Sequence, residues 1–162
     1  MRERDSVRVL LVSPAKRLLL IHYRNIGRDG VSRPCWTTAG GGIDEGETIL
    51  ETARREIAEE TGLTSAVLGP VVWYCEDSRR SGDWQVRHKE HFVVAHAPAE
   101  TLARDGWTEH ERGEILEMRW WSAEEIAQSR ETIFPPGLAE IVSPILEAIY
   151  PPQIIRLPDV TP

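Results

Sequence analysis

Glu56, Glu59 and Glu60 are the residues of this chain whose spacing could do chemistry. They fall in a segment, 48 to 61, that opens with Thr48 and Glu51 at capping-box spacing and stops at Gly62, so the sequence predicts a helix there. At about 100° per residue the three glutamates share one arc of roughly 100°, beside an apolar stripe of Ile49, Leu50, Ala53 and Ile57. Glu56 then repels Glu59 and Glu60, each pair costing about 0.2–0.5 kcal/mol, at the end of the helix where the dipole is already negative. Folding alone favours lysines at such positions. An acidic patch that works against the helix points to a ligand that needs it.

Just ahead of the helix, Gly40-Gly41-Gly42 reads as a turn whose carbonyls can approach a ligand that any side chain would obstruct. Three carboxylates with an accessible carbonyl suit a hard cation such as Mg2+, which takes oxygen ligands from the protein, water and substrate phosphates.

Gly41, five residues, Glu47, seven residues, and then Arg55-Glu56-Ile57-Ala58-Glu59-Glu60-Thr61-Gly62-Leu63 make a pattern that resembles the signature of the Nudix hydrolase family at every fixed position. The strands expected before it, the Trp120-Trp121-Ser122-Ala123-Glu124-Glu125 segment after it and the overall length are similar to the family too. The resemblance implies an α/β fold, an α/β/α sandwich around a mixed β-sheet. It implies hydrolysis of a nucleoside diphosphate linked to another moiety, of the nucleoside triphosphate, sugar nucleotide or ADP-ribose type, by water attack at phosphorus with Mg2+ or Mn2+. On the matching positions, Glu56, Glu59 and Glu60 would be metal ligands and Glu56 also the general base. Gly40 would lend its carbonyl to the metal, Gly41 and Gly42 would complete the loop, and Glu47 and Arg55 would pair to hold that loop against the helix. A small-molecule nucleotide is the expected partner, and a homodimer is compatible with the family. Residues 1–150 are expected to form the Nudix domain and 151–162 a Pro-rich tail without regular structure.

The family often adds an acid from outside the signature, and Glu90, Glu109, Glu111, Glu114 and Glu117 are eligible. Glu114 and Glu117 stand in the expected loop before the Trp120 strand. Arg24, Arg28 and Arg33, in a polar loop before the glycines, are candidates for substrate phosphate, against the plainer reading of a solvated loop. A nucleotide-sensing module on the same fold, or an isomerase of isoprenoid diphosphates, are the alternatives. The first should lack signature acids that are present here, and the second needs a catalytic Cys, for which only Cys35 is placed. Subfamily markers look absent, with Ser at 78 and Arg at 80.

The elements that must position these groups follow from apolar periodicity. Val7–Val12 and Leu18–Ile21 read as paired strands around Ser13-Pro14, and Cys35–Thr38 as a short extended piece. Segments 66–76 and 85–97 read as a long hairpin about Ser81-Gly82-Asp83, and 117–121 as a further strand. Ser122 with Glu125 caps a short helix, and 137–149 reads as an amphipathic helix disturbed at Pro144 that should cover the sheet opposite the first helix. His88 and His91 have a metal-like spacing but would point to opposite faces of a strand, which favours a surface or packing role. Trp84 and Trp107, next to Gly-Asp and Asp-Gly turns, are the tryptophans expected at the surface, and Cys35 and Cys75 read as packed thiols.

Length, 162 residues, fits one domain, and 41% hydrophobic with 28% charged residues excludes a disordered or fibrous chain. A net charge of −7 argues against phosphate-backbone binding, so nucleic acid is not expected as partner, and a small anionic substrate would need a local cation. No apolar run approaches the roughly 20 residues of a membrane span, and the N-terminus has no signal-peptide core, so a cytoplasmic protein is expected.

Overall fold

The computed structural model describes residues 1–160. Its strands and helices run in the order β1 (Arg2–Val12), β2 (Leu18–Tyr23), β3 (Cys35–Thr37), β4 (Ala39–Gly42), α1 (Ile49–Thr61), β5 (Val67–Ser81), β6 (Trp84–His96), α2 (Glu109–Glu114), β7 (Ile115–Trp121), α3 (Ala123–Gln128), α4 (Leu138–Leu146) and β8 (Ile155–Arg156). One mixed sheet runs β3-β2-β1-β6-β5-β8, with β4 paired to β1 and β7 to β2.

Val7, Val9 and Leu11 alternate with Leu10 and Val12 along β1, and each set is buried. A strand with two buried faces must have a layer on each side. The first set joins Ala53 and Ile57 of α1 in one core, while Leu10 and Val12 join Leu138, Val142 and Ile145 of α4 in the other. The α/β/α sandwich and the opposed helices are as the sequence implies.

Among the described residues, β1 and β2 pair only where Val12 meets Leu18. Beyond that point they diverge, β1 taking β4 and β6 as neighbours while β2 takes β3 and β7. The expected hairpin is therefore a fork. α1 starts at a Thr48/Glu51 capping box and ends at Gly62 in the left-handed conformation, as its sequence predicts.

Three sequence expectations fail here. Gly40-Gly41-Gly42 is no turn but the body of β4, Gly40 lying opposite Arg8 and Gly42 opposite Ser6; glycine is needed because a Cβ at Gly40 would run into the Val7 carbonyl. The loop expected around Glu114 contains α2, opened by a Thr108/Glu111 capping box. The Pro-rich tail is not structureless: β8 pairs in parallel with β5, Leu157 is buried in the α4 core, and Val160 bridges Asp77. Prolines at 151, 152 and 158 flank this strand and spare the paired residues between them; Thr161 and Pro162 lie outside the described residues.

Candidate active site

β4 and the last two turns of α1 meet face to face, which brings the glycines against the glutamates. A Cβ on Gly41 would fall onto the Glu56 carboxylate, so only glycine lets the helix approach this closely. The main-chain N–H of Gly40 donates to Glu60 Oε1 at 3.0 Å, and the Tyr23 hydroxyl donates to Glu60 Oε2 at 3.0 Å. Glu60 is 2% exposed and Glu56 9%, whereas Glu59 faces solvent. Burial pushes the Glu60 carboxyl well above its usual range; the Gly40 N–H pulls it back and the adjoining Glu56 pushes it further. Glu59 is raised in the same way, by burial first and then by Glu56.

Arg55 ties the arrangement together. It donates to both Glu47 oxygens at 2.8 and 2.9 Å, to the Gly42 carbonyl at 3.1 Å, to Glu56 Oε1 at 2.8 Å and to Glu59 Oε2 at 3.5 Å. The expected Glu47–Arg55 pair is thus present and clamps β4 and the following loop to α1. Hydrogen bonds from Arg55 and then Thr52 hold the Glu47 carboxyl down at about 2.

Among the described residues no three His, Cys, Asp or Glu side chains already form a cation cage, and the Arg55 guanidinium lies against Glu56 and Glu59 instead. The donor chemistry nevertheless fits a hard divalent ion. Glu56 and Glu60 are buried, adjoining carboxylates whose mutual repulsion such an ion relieves, and every donor is oxygen.

A cleft of about 770 Å3 opens beside this group and is reached through Tyr23, which lines it. Of the candidate arginines only Arg28 reaches the cleft. Arg33 is bound to Asp29 at 2.6 Å, and Arg24 is an exposed loop residue outside the lining. Glu111 and Glu114 line the cleft from α2, and the Glu111 charge acts on both Glu59 and Tyr23. Glu109 is exposed outside the lining, and Glu117 is exposed on β7 opposite His22, also away from the cleft. Glu90 is fully buried on the side of β6 that carries Phe92 and Val94, the face opposite α1, where it pairs with Arg8. Strand alternation thus removes Glu90 from the α1 acids.

Residues that sequence reasoning missed come from strands distant in the chain. Arg8, Arg79 and Arg80 border the cleft, with Phe134 and Val160, and Thr37 Oγ1 is buried there without a hydrogen-bond partner among the described residues. No local pattern marks these positions, because only the divergence of β1 from β2 brings them together. Trp107 was expected at the surface and is instead 8% exposed, its indole N–H donating to the Glu60 carbonyl. That carbonyl belongs to the last turn of α1, where the helix itself offers no donor. Trp84 is exposed, and Cys75 is buried, as expected.

The family model of the NUDIX domain matches residues 2–142. This chain belongs to the Nudix family. A Mycobacterium tuberculosis relative bearing a MutT-type mutator name is 30% identical over 142 residues, covering 85% of this chain and 53% of the relative. An oxidized purine nucleoside triphosphate hydrolase from Danio rerio is 43% identical over 63 residues, 39% of this chain and 37% of that protein. The Nudix chain described here therefore spans about half, or less, of the curated relatives it matches. A NUDIX-family hydrolase structure from Clostridium perfringens superposes with a TM-score of 0.64 at 15% identity, over 92% of this chain and 99% of the other, and supports the Nudix fold. No helix among the described residues is long and apolar enough to cross a membrane.

Proposed function

We propose that this chain hydrolyses the diphosphate linkage of a nucleoside diphosphate derivative, a nucleoside triphosphate, a sugar nucleotide or an ADP-ribose type compound, with Mg2+ or Mn2+. The observation that carries this reading is the buried Glu56–Glu60 pair, held by Gly40, Tyr23 and Arg55 at the edge of an arginine-bordered cleft. Membership of the Nudix family and the activity named for the Danio rerio relative support it.

Glu56, Glu59 and Glu60 would hold the ion, with the Gly40 carbonyl as a further donor. A divalent cation there would supply charge neutralisation for the diphosphate and would lower the pKa of a water. Glu56 is the group to accept, at a carboxylate oxygen, the proton of the water that attacks phosphorus. The water oxygen bonds to phosphorus, the anhydride P–O bond breaks, and the departing phosphate carries the electron pair. Arg55 keeps Glu56 aimed through its 2.8 Å hydrogen bond, and Glu47 keeps Arg55 in place, so neither needs to touch the substrate. Glu60 is held from two sides before any ligand arrives, which reduces the reorganisation needed during the reaction.

The test is a hydrolysis screen across nucleoside triphosphates, sugar nucleotides, ADP-ribose and dinucleoside polyphosphates. At least one class should be cleaved with Mg2+, lost in excess chelator and restored by added Mg2+ or Mn2+. Turnover undiminished in chelator, or no cleavage of any class with either metal, contradicts the proposal.

A further inference from the structure

Arg8 lies in β1 directly opposite Gly40, the residue whose N–H holds Glu60. Its side chain is 11% exposed, and Arg8 is one of the residues that line the cleft. Glu90, fully buried, accepts from Arg8 Nε at 3.1 Å and from Nη2 at 3.3 Å. A guanidinium has about five N–H donors. Glu90 takes two, and among the described residues the remaining donors have no hydrogen-bond partner.

This arrangement is a poor way to stabilise a fold. Two charges taken out of water seldom contribute more than apolar residues of the same volume, and here half of the guanidinium stays unbonded. The plane of that guanidinium is nevertheless fixed. Glu90 grips one edge, the Phe134 ring lies 6.0 Å from the guanidinium carbon, and Arg79 lies 3.6 Å from Glu90 while also binding Asp77. Unbonded donors on a rigidly held guanidinium in the lining of a cleft are matched by a group offering several acceptor oxygens. Arg8 shares the lining of the cleft with Tyr23, whose hydroxyl donates to Glu60, so the cleft links the guanidinium to a residue that holds the acid pair.

We propose that Arg8, oriented by Glu90, anchors a phosphate of the diphosphate substrate in this cleft. The proposal deepens the hydrolase reading and rests on it: Arg8 contributes oriented donors to a cleft that Arg28, Arg79 and Arg80 also border. Glu90 acts through Arg8 as a positioning residue. Arg28 and Arg80, exposed at the rim, are less constrained and contribute less.

The test is calorimetric titration with two probes in Mg2+: inorganic pyrophosphate, and guanosine, which offers an arginine fork two acceptors but no phosphate. Removing Arg8 alone would strand Glu90 and risk the fold, so the informative variant is Arg8→Gln combined with Glu90→Gln, which leaves two neutral amides able to pair. Arg8→Lys keeps the charge and loses the fork. Wild type should bind pyrophosphate, the double variant at least ten-fold more weakly and Arg8→Lys in between, while guanosine binding stays the same in all three. Glu90→Gln alone should weaken pyrophosphate binding less than the double variant, with unchanged guanosine affinity. Equal pyrophosphate affinity in wild type and double variant overturns the proposal, as does a parallel loss of guanosine binding or a wild type that does not bind pyrophosphate. These binding outcomes are separate from the hydrolysis screen, which alone decides the activity.

Discussion

The Trp107 indole N–H reaches the main-chain carbonyl of Glu60 at 2.7 Å, so a residue 47 positions further along the chain closes the helix end that carries the acids. Trp107→Phe keeps an aromatic ring and removes the donor. Leaving that carbonyl without a partner should cost about 1–3 kcal/mol, read as a lower urea midpoint with an unchanged slope. An unchanged midpoint would show that another group takes over the carbonyl.

Glu60→Gln separates function from stability. Glu60 is buried against Glu56, and a glutamine can still accept from Gly40 while its amide meets the Tyr23 hydroxyl. In chelator at neutral pH the variant should melt at or above the wild-type temperature. Mg2+ should raise the melting temperature of wild type much more than that of the variant, since a ligand bound only by the folded site stabilises through its saturation. A less stable variant that gains as much from Mg2+ would make Glu60 a structural residue.

Acid stability should report the Arg8–Glu90 pair. Burial works to raise the Glu90 carboxyl, but Arg8 overrides it and holds the group below its usual value. A depressed folded-state pKa contributes stability that is complete above the unfolded value, about 4.3, and is lost as pH falls through the lower folded value. Wild type should therefore lose stability across that acid window more steeply than Glu90→Gln. Parallel curves for the two proteins would show that the pair contributes no pH-dependent stability.

What was legible in the sequence was whatever local pattern could encode. The Thr48/Glu51 box and Gly62 locate α1, as the structure shows; of its acids, Glu56 and Glu60 are buried together while Glu59 faces solvent. The glycines 40 to 42 were visible as a close-approach signal, yet nothing local tells a glycine turn from a glycine strand; the deciding contacts are with Val7 and Glu56. Arg8 and Glu90 are 82 positions apart, and their pairing depends on the parallel register of β1 on β6. Trp107 looked exposed because its neighbours are turn residues, whereas its position is set by an acceptor on α1. The tail reads as irregular because of its prolines, whereas the buried Leu157, the pairing of β8 with β5 and the Val160 bridge hold it in place.

Deleting residues 151–162 should destabilise the domain. The deletion removes the buried Leu157 side chain, worth about 1.5–3 kcal/mol, and uncovers the β5 edge that β8 pairs. Thermal unfolding should show a lower midpoint, and light scattering more aggregation. A truncated protein as stable as the full chain would mean that the tail only rests on β5.

The most direct test of the account is the turnover of Glu56→Gln on the best substrate from the hydrolysis screen, at saturating Mg2+. Glutamine keeps the shape of the side chain and the contact with Arg55 while removing charge and basicity. The kcat should fall about 100-fold or more, with folding intact by circular dichroism. A near-normal kcat with only a raised KM would contradict it and move the base to another acid, with Glu111 and Glu114 at the cleft the next to be tested.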